Sequence, residues 1–372
     1  MKVLFLTPHL STGGMPQFLL QRIKTLQAYS DVEVFVYEWV QTATWFVVQR
    51  NQIINTLSKD NFVSCGYFAD WSQKCRDKQT NLINFLYKNK IDIVHLEEAP
   101  EIFPVYHDNG IFDHDLITDL YDKKHPWKIV ESIHRIDFDF LNKKYIPDAF
   151  SCVVNSHYDE VKNLKYKAKL IEYPFCGPVS YSTKEEIKLE EGWRKTGEFH
   201  ILNVGLWTPG KNQKYAIEIA KLLWEKYRWT YIFHFVGNQA PNFEDYWSPL
   251  MNDLPPNIRI YGEKNQDEVS KFYKKSDLML FTSTWECNPI VLKEAISNNL
   301  KVMAFNHDHY QGSYDEYIDN LTGNLEKDKD NLINILHSPL KYEKKLDYSI
   351  LKSKKEFVNK HLELYESISN RR

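Results

Sequence analysis

The chain is 372 residues long, and none of its apolar runs approaches the ~18 residues a membrane-spanning helix needs, so no such helix is expected. The opening MKVLFLTPHL is not expected to be a signal peptide, because Val3–Leu6 is too short an apolar run and Pro8 ends it. Cysteine is sparse. Cys65, Cys75, Cys152, Cys176 and Cys287 are odd in number and form no C-x-x-C pair. That argues against a disulfide framework and a zinc site, and for a reducing compartment. Charge of one sign is lacking too: 47 Lys and Arg against 50 Asp and Glu leave a net −3, which gives no support for a general nucleic-acid binder. There is no G-x-G-x-x-G fingerprint, no internal repeat and no low-complexity segment. The expectation is a cytoplasmic protein, at most resting on a membrane surface.

What the chain does have is a repeating alternation. Hydrophobic residues make up 43 % of it, enough for two packed cores. Aromatics reach 15 %, with 23 Tyr and 10 Trp, which suits stacking on sugar rings and equally suits a Tyr-rich core. Lys2–Leu6, Val32–Tyr37, Ile91–Leu96, Lys128–Ile133 and Ser151–Val154 read as buried strands, with helical stretches such as Phe18–Gln27 and Asn81–Lys88 between them. Near-continuous apolar strands separated by helices imply a parallel sheet covered on both faces. The polar stretch Lys184–Thr196 reads as a linker, after which the pattern restarts. Strands are expected at Phe199–Val204, Tyr231–Val236, Leu278–Phe281 and Lys301–Phe305, and helices at Lys214–Tyr227, Gln266–Lys275 and Pro289–Asn298. The tail 352–372 reads helical, with Phe357, His361, Leu364, Tyr365 and Ile368 near 3.6 spacing. The expected fold class is α/β, with Rossmann-like units at 1–180 and 197–351.

Ligands of open parallel sheets bind beyond the carboxyl ends of the strands, so motifs placed just after strands carry the most weight. Gly13 and Gly14 follow the first strand and precede a helix, where glycine allows close backbone approach and the helix start favours an anion. A Gly-Gly turn is often only a turn. Gly205 ends the strand opening the second unit, and Lys211 follows in the loop, able to neutralise charge on a departing diphosphate or simply to be solvated. The segment Thr282-Ser283-Thr284-Trp285-Glu286-Cys287-Asn288-Pro289-Ile290-Val291-Leu292-Lys293-Glu294-Ala295 is the sharpest signal. Asn288 is placed as the N-cap and Pro289 as the first helical residue, which leaves free N–H groups for phosphates. Glu286 lies in the loop. Glu294 lies in the helix among Ile290, Val291, Leu292, Ala295 and Ile296, where a carboxylate needs partners. Ribose hydroxyls are suitable ones, and an ion pair with a lysine is the plainer alternative.

These motifs resemble the retaining GT-B glycosyltransferases known as glycosyl transferases group 1, or family four, over nearly the whole chain. The E-x7-E signature corresponds to Glu286 and Glu294, the Gly-plus-Lys diphosphate loop to Gly205 and Lys211, and the Gly-Gly loop to Gly13 and Gly14. The histidine after a middle strand of the first domain corresponds to His134. The resemblance implies two Rossmann-like domains facing across a cleft, with the C-terminal helix crossing back to the first. It implies that Glu294 holds the donor ribose, Glu286 contacts the donor sugar, and Lys211 stabilises the leaving diphosphate. Asn288, Pro289 and Ile290 would line phosphate and sugar with backbone N–H groups, although Pro289 has none to give. Gly14 would let the backbone near the diphosphate or acceptor, and His134 would line the reaction centre. The catalytic candidates are therefore Glu286, Lys211 and His134. The pattern departs at Leu206, where the family usually has Arg, so one of two diphosphate cations is missing and Arg135 is a candidate substitute. It departs again at Cys287, usually Gly.

The function so implied is transfer of a sugar, with retention, from a nucleotide-diphosphate sugar to the hydroxyl of a glycan, lipid-linked or protein-glycan acceptor, as in polysaccharide biosynthesis. No metal or other cofactor is called for. The expected partners are that donor and acceptor, with peripheral membrane contact and no nucleic acid. The rival readings are a non-catalytic nucleotide-sugar-binding protein, motivated by Leu206, a sugar-nucleotide epimerase of the same architecture, and, more weakly, a dehydrogenase. Asp137-Phe138-Asp139 spells the metal-diphosphate D-x-D of a different glycosyltransferase fold, and His307-Asp308-His309 could suggest metal ligands. The first conflicts with the second-unit signature, and three adjacent residues of the second rarely converge on one ion.

Overall fold

The computed structural model describes residues 1–11, 13–41, 47–66, 73–103, 113–174, 197–306, 317–339 and 349–369. The linker Lys184–Thr196, Thr12 and His307–His309 lie outside the described residues. The chain divides into two compact units, one of Met1–Tyr173 with Lys354–Arg372 and one of Pro174–Ser353.

The first unit is built on seven strands: β1 (Lys2–Thr7), β2 (Glu33–Glu38), β3 (Phe62–Ser64), β4 (Ile93–Glu97), β5 (Lys128–Ser132), β6 (Ala149–Cys152) and β7 (Ala168–Leu170). Their order is β3-β2-β1-β4-β5-β6-β7 and every pairing is parallel. Val3, Leu4, Phe5 and Leu6 of β1 are fully buried, as expected of a strand with helices on both sides. The helix Gly14–Tyr29 turns Phe18, Leu19, Leu20, Ile23 and Leu26 into the core, the i, i+3, i+4 pattern of a half-buried helix. The C-terminal helix Ser349–Ile368 belongs to this unit from Lys354 onward. It buries Phe357, Val358, His361, Leu364 and Tyr365, and the Tyr365 hydroxyl meets His95 Nδ1 on β4 at 2.7 Å.

The second unit carries six strands: β8 (Phe199–Val204), β9 (Tyr231–Val236), β10 (Ile258–Ile260), β11 (Leu278–Phe281), β12 (Lys301–Ala304) and β13 (Ile318–Asn320). They run parallel in the order β10-β9-β8-β11-β12-β13. In each sheet the strand order reverses direction once, between β1 and β4 and between β8 and β11. Those are the switch points where the loops part and leave room for a ligand. Among the described residues no helix is long and apolar enough to cross a membrane.

Candidate active site

In the second unit the switch point is flanked by the loop after β8 and the loop after β11. The β8 loop runs from Gly205 into a 3-10 turn, Pro209–Lys211, whose N-cap Thr208 accepts the Lys211 N–H through its hydroxyl at 3.3 Å. The β11 loop is laced to it. The Thr284 N–H donates to the Gly210 carbonyl at 2.8 Å, and the Thr282 hydroxyl donates to the Lys211 carbonyl at 3.0 Å. Asn203 on β8 donates its amide to the Leu280 carbonyl at 2.8 Å, fixing the base of both loops. These bonds hold the backbones of Lys211 and Glu286 near each other, and the two side chains form a salt bridge. Glu286 is nearly buried, while Lys211 is one-third exposed at its side chain. The pairing holds the Lys211 side chain in one orientation between the two loops.

Gly205 packs at a second tight point. A Cβ on Gly237, whose φ is +154°, would lie 1.8 Å from the Gly205 carbonyl oxygen. Gly237, at the end of β9, is therefore what lets the two loops lie side by side, and the sequence reading passed over it. Gly205 itself has looser surroundings, since a Cβ there would meet the Lys211 stem at 3.7 Å, an ordinary contact. Leu206, in the position where a cation was missed, gives its carbonyl to Gln213 Nε2 at 2.9 Å.

The helix after β11 is Ile290–Ser297, and its N-cap position is Pro289, with ψ 92° and no side-chain cap bond. This corrects the sequence reading, which made Asn288 the cap and Pro289 the first helical residue. A residue before proline is disfavoured in helical backbone, and here the helix starts one residue later. The Leu292 N–H closes back on the Pro289 carbonyl at 3.0 Å, so the amides of Ile290 and Val291 head the helix.

Glu294 lies one turn on and is almost wholly buried. Its partners are neither lysine nor arginine. The Tyr273 hydroxyl donates to Oε2 at 3.0 Å, and Gln266 Nε2 donates to Oε1. Both donors come from the helix Gln266–Lys275. They are seven residues apart and so share one face. That helix is started by a reciprocal capping box between Asn265 and Glu268, which pins Gln266 in its first turn. Burial pushes the Glu294 carboxyl up to about 7, against the two hydrogen bonds that pull it down. The alternative of a Glu294–lysine pair is thus replaced by two neutral donors.

In the first unit, His134 follows β5, next to β4 at that sheet's switch point. Its Nε2 lies 2.9 Å from Glu97 Oε2, and its ring packs edge-on against Phe18 at 5.3 Å. Glu97 also pairs with Arg22, and both side chains are fully buried. Arg22 donates to Ser132 Oγ at 3.0 Å, and its guanidinium lies over the Phe18 ring at 4.7 Å. Burial alone would raise the Glu97 carboxyl, but the Arg22 and His134 charges outweigh it and hold it below the usual range. The neighbouring Glu98 has φ +108°, a costly value for a side-chain-bearing residue, and accepts the His134 N–H at 3.2 Å. Burial pushes its carboxyl to about 7. The sequence reading named His134 but missed Arg22, Glu97 and Glu98. The signal was there: Arg22 interrupts the apolar face of its helix, and two acids follow directly on the run Ile91–Leu96.

Gly13 and Gly14 are exposed at the start of the first helix, and a Cβ on Gly13 would meet only Pro16, at 4.0 Å. What favours glycine at position 13 is its backbone, with φ +159°, and not a crowded neighbour. Arg135, considered as a substitute cation, is bound to Asp137 by bonds of 3.0 and 2.7 Å. Asp139 accepts the N–H groups of Leu141 and Asn142 at 3.0 and 3.1 Å, so both acids of the D-x-D sequence are engaged in local structure. Among the described residues no three His, Cys, Asp or Glu side chains are gathered as a metal site.

Comparison with known proteins places this geometry. Residues 184–355 match the family model described as glycosyl transferases group 1. An uncharacterised 41.2 kDa protein in cps region of Klebsiella pneumoniae is 24 % identical over 317 residues, covering 77 % of this chain and 82 % of the other. A glycosyltransferase structure from Rickettsia africae aligns with TM-score 0.68 and 16 % identity over 100 % of this chain and 99 % of that one. Anabaena HepE in complex with UDP aligns with TM-score 0.67 and 14 % identity over 99 % and 100 %. The UDP-GlcNAc 2-epimerase of Neisseria meningitidis aligns with TM-score 0.63 and 12 % identity over 99 % and 100 %. The shared architecture is the GT-B fold of two Rossmann-like, parallel-sheet α/β units. Within that frame, residues 184–355 are the part of the chain that is similar to glycosyl transferases group 1.

Proposed function

We propose that the protein transfers a sugar, with retention and without a metal, from a nucleotide-diphosphate sugar to an acceptor hydroxyl. The observation that carries this reading is the Lys211–Glu286 pair at the β8/β11 switch point, with the helix Ile290–Ser297 beginning beside it. The diphosphate takes the Lys211 ammonium and the leading helix amides, and Glu286, released from Lys211, turns to the donor sugar's hydroxyls. Glu294 receives the ribose, each carboxylate oxygen keeping a second lone pair beside its bond from Tyr273 or Gln266. The bond between the anomeric carbon and the diphosphate oxygen lengthens and breaks, its electron pair leaving on the phosphate. Lys211 and the helix dipole stabilise that charge. The acceptor hydroxyl attacks from the same face and gives its proton to the leaving phosphate. The first unit receives the acceptor, with His134 oriented by Glu97. The glycan or lipid-linked nature of that acceptor and any peripheral membrane contact belong to the same proposal.

The test is a thermal-shift panel of UDP, GDP, ADP, CDP and their sugars, with and without EDTA. A ligand that binds only the native state raises the melting temperature by mass action. A shift with one nucleotide family, unchanged by EDTA and lost in Glu294→Ala, is expected. UDP compounds come first, because structural neighbours were solved with them. No shift with any nucleotide would sink the reading. Conversion of the donor sugar with no acceptor present would favour an epimerase instead. Anomeric configuration is read by NMR of the product, where inversion would remove the retaining part.

A further inference from the structure

A cavity of about 330 Å³ opens in the first unit, at the lower end of the size range of small-ligand pockets. Three elements build it, all beyond the carboxyl ends of β4 and β5. Glu101 comes from the 3-10 turn Pro100–Ile102 that follows β4. His114 opens the helix His114–Leu120. Phe138, Asp139, Asn142, Lys144 and Tyr145 come from the loop that begins at His134 and leads to β6. The cavity thus lies on the ligand-binding edge of the first sheet, along the same loop as His134.

Its charges are already answered from within. Glu101 accepts the N–H groups of Lys144 and Tyr145 at 2.8 and 3.0 Å and the Lys143 ammonium at 3.0 Å. Lys143 is fully buried and also meets Glu131 at 2.8 Å. Asp139 is spent on the two loop amides and on the Asn142 side chain at 2.6 Å. Both carboxylates carry internal partners, and the two acids and two lysines of the lining, Glu101, Asp139, Lys143 and Lys144, sum to zero charge. What faces a ligand is two aromatic rings, Phe138 and Tyr145, with a phenol, an amide and an ammonium at the rim. The Tyr145 hydroxyl is fixed by His114 Nδ1 at 3.0 Å.

A neutral molecule with an apolar face and a girdle of hydroxyls fits that lining, and a pyranose ring is such a molecule. We infer that this cavity is the acceptor subsite and that it takes an uncharged hexopyranose. The rings stack on the sugar's C–H face, while Tyr145, Asn142 and Lys144 bond its hydroxyls. This inference rests on the glycosyl-transfer reading, and its test separates the two.

The full chain is examined by saturation-transfer NMR with the methyl glycosides of glucose, galactose, mannose and N-acetylglucosamine, and of glucuronic acid as the charged control, with and without UDP. A neutral glycoside is expected to bind, at least tenfold more weakly in Tyr145→Ala and in Phe138→Ala. Lys144→Trp adds bulk from an exposed side chain that has no side-chain partner among the described residues, so it blocks the cavity without touching the core. It is expected to abolish binding while the melting temperature holds. No binding by any neutral glycoside, equal binding in all three cavity variants, or preference for the glucuronide would overturn the inference. Sugar binding that depends on the cavity in a protein that no nucleotide stabilises would keep the subsite and remove the transferase reading.

Discussion

Glu294 turns the second unit into a measurable pH dependence. Its carboxyl is held at about 7 against an ordinary 4.5, because burial disfavours the charged form more than Tyr273 and Gln266 favour it. A folded-state value above the unfolded one means that the native protein binds more protons between those limits. Stability contributed by this group is therefore complete below about pH 4.5 and is lost as pH rises through about 7. At 1.36 kcal/mol per unit, the gap amounts to about 3 kcal/mol at pH 8 as an upper figure. Glu294→Gln removes the charge and keeps the shape. Its carbonyl can still accept from Tyr273, and the Gln266 amide can flip to accept from the new NH2. Without ligand, the variant is expected to match the wild type near pH 5 and to exceed it at pH 8 by an amount approaching that figure. Urea melts at both pH values read the difference, which isolates Glu294 from Glu98 and Glu131, also held at about 7. The same variant should lose the nucleotide-induced thermal shift, because a neutral amide accepts ribose hydroxyls poorly. Parallel falls of wild type and variant from pH 5 to 8 would refute the reasoning. So would a variant weaker than wild type at both pH values, which would mean that the charged carboxylate is the form the fold stabilises.

Lys211→Ala should lower turnover by ~100-fold or more while changing donor affinity less, because the charge it answers appears as the bond breaks. Steady-state kcat and donor KM decide this, and equal turnover would count against the assignment. Gly237→Ala must push a methyl group into the Gly205 carbonyl, and the resulting backbone shift is expected to cost on the order of 1–3 kcal/mol and to weaken nucleotide binding. Thermal melts with and without UDP would show both effects, and a silent substitution would mean that the loops part freely. Glu97→Gln leaves the buried Arg22 without its counter-charge and should destabilise the first unit by about 3–5 kcal/mol in urea. A near-neutral result there would mean that water or another acid reaches Arg22.

The long central strands were legible because each is an apolar run bounded by polar residues. β8, β9 and β11 were expected within the bounds at which they occur. The four edge strands β3, β7, β10 and β13 were not, because three-residue segments such as Ile258–Ile260, with Arg259 between, carry no run to read. Lys211, Glu286 and Glu294 stood out by spacing, but their partners did not. Tyr273 and Gln266 reach Glu294 only through the packing of two helices, and spacing within one helix cannot say which neighbour it will face. Gly237 was invisible for a related reason, since its meaning comes from a carbonyl on another strand. Asn288 was misplaced by one residue because the two rules for helix starts, polar cap and early proline, were read one step too soon.

The first unit is assembled from both ends of the polypeptide. Phe357, His361 and Tyr365, at the end of the chain, close over Phe18 and His95 near its beginning. A contiguous piece ending at Tyr173 would therefore lack part of its own interior, and a stop codon before Lys354 would spare the group 1 signature while unroofing the half that carries His134. Anyone dissecting the protein into fragments should cut out the middle and rejoin the flanks, because only that design returns the first unit with its core intact.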